Sequence, residues 1–89
     1  MNVKRIVLDV LKPHHPNGLE LSAAIAENSP GARVELRVEE VDEKTESVII
    51  ALSGESLNFE IITETIKSMG GTVHSIDEVV VEGSSEQNV

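Results

Sequence analysis

Titratable side chains stand in or beside two apolar segments of this 89-residue chain, where a strand with a purely structural role would carry none. The two segments, residues 5–16 and 70–80, contain Asp9, His14, His15, His74, Asp77 and Glu78. Carboxylates and imidazoles at close range can hold a divalent metal, and an aspartate–histidine pair can act as a general base. These residues could therefore form a metal site, an active site or hydrogen-bonded pairs.

Catalysis is the weakest of the three interpretations. The chain has no cysteine, no phosphate-binding P-loop, no dinucleotide-binding G-x-G-x-x-G and no G-x-S-x-G nucleophile motif. Its serines occur at helix, turn and strand positions without a base beside them, and the end of a helix is enough to explain the pair Gly70-Gly71. We predict that the protein is not an enzyme, and we assign no catalytic residue.

The cluster formed by Asp9 with His14, His15 and His74 admits three interpretations. Imidazole together with carboxylate favours zinc, nickel or copper. Carboxylates alone favour calcium, with carbonyls, waters or a neighbouring subunit completing its roughly six to eight oxygen ligands. The third interpretation is a hydrogen-bonded aspartate–histidine pair that fixes the loop after the first strand.

Acidic residues outnumber basic ones by sixteen to seven, which gives the chain a formal net charge of −9. Carboxylates held within a Debye length, about 8 Å at physiological salt, repel one another unless ions intervene. Calcium or magnesium would find oxygen ligands in two acidic segments. One is a turn with Asp42, Glu43 and Glu46, and the other is the strand pair Asp77 and Glu78.

The same composition limits partners and location. We expect no binding to nucleic acid, because phosphates are bound by Lys and Arg and because Phe59 is the single aromatic residue. The apolar run after Arg5 is too short for a signal peptide or a membrane span, so we expect a cytoplasmic protein without membrane contacts. The acidity suits a high-salt cytoplasm as well as it suits an ordinary acidic surface.

Hydrophobic periodicity predicts six elements in the order β-α-β-β-α-β. They are a buried strand over 4–11, a helix over 19–28, a hairpin of strands over 33–41 and 47–53, a helix capped by Asn58 that runs to Met69, and a strand over 72–81. Two interleaved β-α-β units of this kind predict an α+β, ferredoxin-like sandwich, with an antiparallel sheet in the order 4-1-3-2 and both helices on one face. We predict a single domain over residues 1–82 and a flexible acidic tail over 83–89.

The sheet face opposite the helices must contact either water or a partner. Alternation places Val7, Leu11, Ile49 and Ala51 on this open face of the two central strands, whereas a solvated face normally alternates to polar residues. A contiguous apolar patch indicates an interface, and a chain this short gains stability from self-association. We therefore predict a homo-oligomer with these four residues at its interface.

Neither alternating set of side chains in the last strand is purely apolar, and a bulge near Ser75 would turn both Val73 and Ile76 inward. This strand is expected to run antiparallel to the first. The register then predicts two contacts: His74 or Ser75 with Asp9 and His14, and Asp77 or Glu78 with Arg5 and Lys4.

The chain resembles an archaeal family known as domain of unknown function 211. The opening R-x-V-L-D-x-L-K-P-H-x-P matches residues 5–16, the acidic hairpin turn matches at Asp42 and Thr45, and the closing G-G-x-[IV]-H-S-[IV]-D-E-V-V matches residues 70–80. The resemblance covers nearly the whole chain and implies a compact ferredoxin-like domain, homo-oligomers and, in places, bound calcium. An acidic residue is usual where His15 stands and an aspartate where Asn58 stands, which weakens any cation site that those carboxylates form in relatives.

Taken with the resemblance, these observations predict a non-enzymatic, self-associating domain with a regulatory or scaffolding role and with sites for calcium or magnesium. The alternative is a sensor of a small ligand or a metal, with pockets at subunit boundaries. Thermal stabilisation by ligand separates the two hypotheses, because a ligand that binds the native state raises its stability.

Overall fold

The protein was analysed as a computed structural model that describes residues 1–84. Its elements are β1 (Asn2–Pro13), α1 (Gly18–Glu27), β2 (Arg33–Val41), β3 (Thr45–Ser53), α2 (Phe59–Ser68) and β4 (Thr72–Glu82). The four strands form one antiparallel sheet in the order β2-β3-β1-β4, which is the predicted order counted from the other edge. The ferredoxin-like prediction is confirmed. Of the predicted tail, residues 85–89 lie outside the described residues.

The core lies between the helices and one face of the two central strands. Alternate residues of β1 and β3 are at most 1% exposed: Ile6, Leu8, Val10, Val48, Ile50 and Leu52. The helices contribute Leu21, Ile25, Ile62 and Ile66, which are equally buried. Burying each such side chain stabilises the fold by about 1.5–3 kcal/mol relative to leaving it in water. Apolar residues at every second position of the strands and at every third or fourth position of the helices therefore form this core layer.

Both helices begin at an asparagine. The Asn17 side chain accepts a hydrogen bond from the backbone N–H of Glu20, whose carboxylate accepts one from the Asn17 N–H in return. The Asn58 side chain accepts from the Ile61 N–H at 3.1 Å, as the sequence predicts for an N-cap. Each cap satisfies a backbone donor that the first helical turn leaves free.

The end of α2 determines where β4 begins. Gly70 has φ = 90°, a conformation that favours glycine and ends the helix. The next residue, Gly71, lies so close to the core that a Cβ there would stand 2.9 Å from Cγ2 of Ile66. Two consecutive glycines thus let the chain reverse and enter β4 directly beside β1.

The predicted irregularity of β4 is present as shifts in its register with β1. Val7 is opposite Glu78 but Leu8 is opposite Ile76, and a second shift follows after Asp9 and Ser75. Ile76 thus stands opposite a buried residue, as expected for an inward side chain. It is nevertheless 51% exposed, because β4 is an edge strand.

Candidate functional site

Lys12 is the one buried polar or charged side chain within residues 1–84, with 1% of its surface exposed. It continues the inward alternation of Val10 and the preceding core residues of β1, so its side chain lies at the end of the core layer. Its ammonium donates hydrogen bonds to the Pro13 carbonyl at 2.8 Å and to Oε1 of Glu46 at 2.9 Å. A buried cation needs such oxygen partners, because leaving one unpaired is strongly destabilising.

Glu46 joins Lys12 to a histidine. Lys12 and Glu46 are directly opposite each other in the β1–β3 register. The second carboxylate oxygen of Glu46 lies 3.0 Å from Nδ1 of His14. On the other side of the imidazole ring, Nε2 lies 2.9 Å from the carbonyl oxygen of Asp42 and 3.1 Å from that of Glu43. Lys12, Glu46 and His14 therefore form one polar network, here called the clasp network, which ends on the β2–β3 turn.

The clasp network favours the charged forms of His14 and Glu46. The hydrogen bond to Glu46, followed by that to the Glu43 carbonyl, raises the pKa of His14 above its ordinary value of 6.5. Hydrogen bonds from Lys12 and then from His14 lower the pKa of the Glu46 carboxyl below its ordinary value of 4.5. A carboxylate held between two cations is the arrangement that stabilises charge-assisted hydrogen bonds.

The clasp network matches the hydrogen-bonded carboxylate–histidine interpretation, although with a different carboxylate. His14 pairs with Glu46, whereas Asp9 lies further along β1, opposite Ser75 of β4. No role was predicted for Lys12 from the sequence. Two signals were present, because Lys12 extends the inward alternation of β1 and the hairpin register places Glu46 opposite it.

The remaining predicted metal ligands lie along β4 and apart from the clasp network. The Ser75 hydroxyl donates to Asp77 at 2.6 Å, and His74 is exposed. Glu78 accepts a hydrogen bond from Nε of Arg5 at 3.0 Å, so the predicted cross-strand ion pair is confirmed. In the part of the chain that the structure describes, no group of three or more His, Asp or Glu side chains is placed to hold a metal ion.

The predicted interface residues do share the open face of the sheet. Val7 is opposite Ala51, and Ile49 lies two residues before Ala51 on the same strand. These three residues line a depression of about 430 Å³ that is flanked by Arg5, Glu35 and Arg37. Leu11, on the same face of β1, is 43% exposed. The patch is thus apolar at its centre and charged at its border.

The structure adds a second apolar surface that the sequence analysis did not assign to an interface. Four residues of β4 are between 40% and 56% exposed: Ile76, Val79, Val80 and Val81. On the opposite edge of the sheet, Val38 and Val41 of β2 are 47% and 63% exposed. We call these two surfaces the β4 edge and the β2 edge. The run of three valines was the available signal, since consecutive apolar residues cannot all point to one side of a strand.

Comparison with known proteins places this arrangement in a family. The family model DUF211, described as "Uncharacterized ArCR", matches residues 4–85. The chain belongs to the DUF211 family. A relative at 45% identity over 78 residues is "Uncharacterized protein MJ0319" of Methanocaldococcus jannaschii, and the match covers 88% of this chain and 80% of that protein. Neither α1 nor α2 of this DUF211 chain has the length and apolar character needed to cross a membrane.

Proposed function

We propose that this DUF211 protein is a non-enzymatic domain that assembles with copies of itself, primarily through the edges of its sheet. The observation that carries the proposal is the exposed apolar β4 edge. An unpaired edge strand presents free backbone N–H and C=O groups, and natural proteins protect such edges unless they are meant to pair. Here Val79, Val80 and Val81 form an uncharged stretch of the edge without lysine or proline, and the acidic residues of β4 lie on either side of it.

Strand direction supports pairing of the β4 edge with the β2 edge of a second copy. β2 is antiparallel to β3, β3 to β1, and β1 to β4, so β2 and β4 of one chain run in opposite directions. A second copy that repeats the first side by side would place its β2 antiparallel to β4, and the sheet would continue without a change of pattern. Such head-to-tail contacts produce a closed ring when the rotations between successive copies add up to one full turn.

Charge favours the same pairing over β4 against β4. The charged residues of β4 are Asp77, Glu78 and Glu82, so two β4 edges would bring carboxylates together. β2 is less negative than β4, because Arg33 and Arg37 each pair with a glutamate of the same strand and so offset two of its three carboxylates. Opposite charges placed across a pair of strands stabilise it, whereas like charges directly opposite destabilise it.

The clasp network supports the non-enzymatic part of the proposal. Both nitrogens of the His14 ring face oxygen acceptors, so neither is free to take a proton from a substrate, and the Lys12 amine is engaged by oxygen acceptors as well. Lys12 is also closed to substrate by its burial. We assign the domain a scaffolding or regulatory role that it exerts through its assembly.

Divalent cations form the second part of the proposal. A head-to-tail assembly repeats a chain of net charge −9 and concentrates carboxylates along each β4 edge. Calcium or magnesium, which prefer oxygen ligands, would relieve this repulsion between subunits. We propose such ions as stabilisers of the assembly at the acidic side chains of β4.

The alternative, a small-ligand sensor, receives less support. The depression between the end of α1 and the start of α2 measures about 430 Å³ and is lined by small and apolar residues, among them Pro30, Gly54 and Leu57, together with five polar or charged residues, none of which is buried. Specific ligand sites normally add a few precisely placed polar groups. Lys12, the one buried polar side chain of residues 1–84, does not line this depression.

Light scattering coupled to size-exclusion chromatography tests the assembly. We expect a mass that is a multiple of the 9.6 kDa chain. Val79→Glu should dissociate the assembly, because it adds a carboxylate to an acidic edge. Leu19→Glu is the matched control, since Leu19 is 79% exposed and lies on α1, outside both edge strands. A monomeric wild-type protein at micromolar concentration would end the proposal, and dissociation by Ile49→Glu but not by Val79→Glu would move the interface to the open face.

A further inference from the structure

The β2–β3 turn contacts the end of β1 through the strand pair Pro13 and Thr45 and through the side chain of His14. Residues 42–45 close the hairpin, with the Asp42 N–H donating to the Thr45 carbonyl at 2.8 Å. The carbonyl oxygens of Asp42 and Glu43 both face Nε2 of His14. His14 itself lies in the loop after β1, so this ring connects two segments that are 28 residues apart in sequence.

The contacts of the His14 ring specify its protonation state. An ionised carboxylate and a backbone carbonyl are acceptors only. Nδ1 faces the Glu46 carboxylate and Nε2 faces two carbonyl oxygens, so both nitrogens must carry a proton for every contact to be a hydrogen bond. The imidazolium cation alone meets this requirement.

The same contacts specify which proton leaves first. The hydrogen bond from Nδ1 to the carboxylate is charge-assisted, and such bonds are about twice as strong as neutral ones. The neutral ring therefore keeps the proton on Nδ1. The lone pair of Nε2 then faces the carbonyl oxygens of Asp42 and Glu43 at about 3 Å, where it repels them.

We propose that His14 is a proton-dependent clasp: its imidazolium fastens the β2–β3 turn to the end of β1, and loss of the Nε2 proton releases the turn. Release reaches the β2 edge directly, because Val41 is the last residue of β2 and pairs with Glu46. The clasp is a property of the single chain and does not depend on the assembly proposed above.

The charged groups around the ring support this mechanism. From β1, Lys12 holds the Glu46 carboxylate ionised and so keeps a counter-ion beside the ring. The turn adds Asp42, Glu43 and Lys44, and the loop adds His15. The link between α2 and β4, which packs on Pro13 through Gly70, has no titratable group closer in sequence than Lys67 and His74. The net effect raises the pKa of His14, so the clasp opens as the pH rises from mildly acidic values.

A nuclear magnetic resonance titration of the wild-type chain tests the proposal directly. The ¹⁵N resonances of the His14 ring should report a midpoint above 6.5 and a neutral form protonated on Nδ1. The backbone amides of residues 43–45 should shift with the same midpoint. A His14 midpoint at or below 6.5, a neutral form protonated on Nε2, or turn amides that do not follow the ring would each overturn the proposal.

Variants separate the clasp from a general effect of pH. In His14→Gln the pH-dependent shift of the turn amides should disappear, whereas in His74→Gln, which alters an exposed histidine of β4, it should remain. Glu46→Gln keeps an acceptor near Nδ1 but removes the counter-ion, so the His14 midpoint should fall. An unchanged pH-dependent shift of the turn amides in His14→Gln would refute the clasp. If His14→Gln or Glu46→Gln fails to fold, the wild-type titration alone decides.

Discussion

A lysine that closes a hydrophobic layer is the least expected residue of this molecule. Lys12 stands where the alternation of β1 demands an inward side chain, and its ammonium is neutralised by Glu46. A sequence pattern classifies a lysine at the end of a strand as solvent-exposed, because lysine is rarely fully buried. Its burial becomes visible only once the register places a carboxylate opposite. The Arg5–Glu78 pair, in contrast, was predictable, since strand order alone brings those two residues together.

Removing the counter-ion of Lys12 should be costly. We expect Glu46→Gln to lower the free energy of unfolding by up to about 3 kcal/mol, because it leaves a buried cation without a charged partner. The double variant Lys12→Met, Glu46→Gln should recover much of this loss, since it removes the charge as well. Urea denaturation followed by circular dichroism measures both. Equal stability of Glu46→Gln and wild type would contradict the assigned role of the pair.

The exposed ion pair should behave differently. Arg5 and Glu78 have side chains that are 37% and 53% exposed, so water screens their attraction. We expect Glu78→Gln to change the free energy of unfolding of the chain by at most about 1 kcal/mol. The same denaturation experiment makes the comparison, and a loss as large as that of Glu46→Gln would mean that the two pairs do not differ as their burial indicates.

The stability contributed by the clasp network should depend on pH in both directions. The raised pKa of His14 means that its contribution is complete below 6.5 and is lost as the pH rises through the folded-state value. The lowered pKa of Glu46 means that its contribution is complete above 4.5 and is lost as the pH falls through the folded-state value. The difference in unfolding free energy between wild type and His14→Gln should therefore be largest between pH 4.5 and 6.5. A stability difference that keeps growing toward pH 8 would contradict the expected loss of the His14 contribution at high pH.

At the scale of elements, the most exacting position is the link between α2 and β4. Gly71→Ala should destabilise the chain by about 1–3 kcal/mol, because a Cβ would stand 2.9 Å from Cγ2 of Ile66 and 3.3 Å from Cγ1 of Val10. Gly83→Ala is the matched control, since nothing lies within 4 Å of its Cβ position, and it should change stability by less than about 0.5 kcal/mol. Thermal melting compares the two variants, and equal melting temperatures would show that the link adapts.

The order, type and approximate ends of all six elements were predictable from hydrophobic period and turn residues. The bulges of β4 were also signalled, because neither of its alternating sets was apolar throughout. The half-exposed state of Ile76 was not, since it depends on how far the helices extend over the sheet, and periodicity carries no information on that coverage. The two additional residues at each end of β1 were not predicted either.

At the scale of the whole molecule, the proposed assembly would bring the acidic charge of successive chains together at the sheet edges. Millimolar calcium, or molar monovalent salt, should raise the melting temperature of the assembled protein, because both relieve repulsion between carboxylates on chains of net charge −9. Melting curves with calcium, with a chelator and with added salt provide the measurement. Val79→Glu serves as the dissociated control and should lose the calcium-dependent part of the shift. Three coincident curves would mean that the carboxylates are simply solvated.

Topology was predictable at this scale because the two crossovers and the hairpin leave one ferredoxin-like solution. The exposure of the β4 edge was not, since the pattern of a single chain identifies which side chains are apolar but not which of them the helices leave uncovered. Val7, Ile49 and Ala51 are half-buried on the open face, while the more exposed apolar residues lie on β4.

The burial of Lys12 also gives the chain a chemical reporter. Of its four lysines, Lys44 and Lys67 are exposed and Lys4 is partly so, while Lys12 is closed off by the end of the sheet. An acylating reagent in limited amount should therefore label three of the lysine amines quickly, and the fourth only when the strand ends separate. Peptide mass spectrometry of the labelled chain would then measure how often the region around Lys12 opens. The method needs no fluorescent side chain, and the chain has neither tryptophan nor tyrosine.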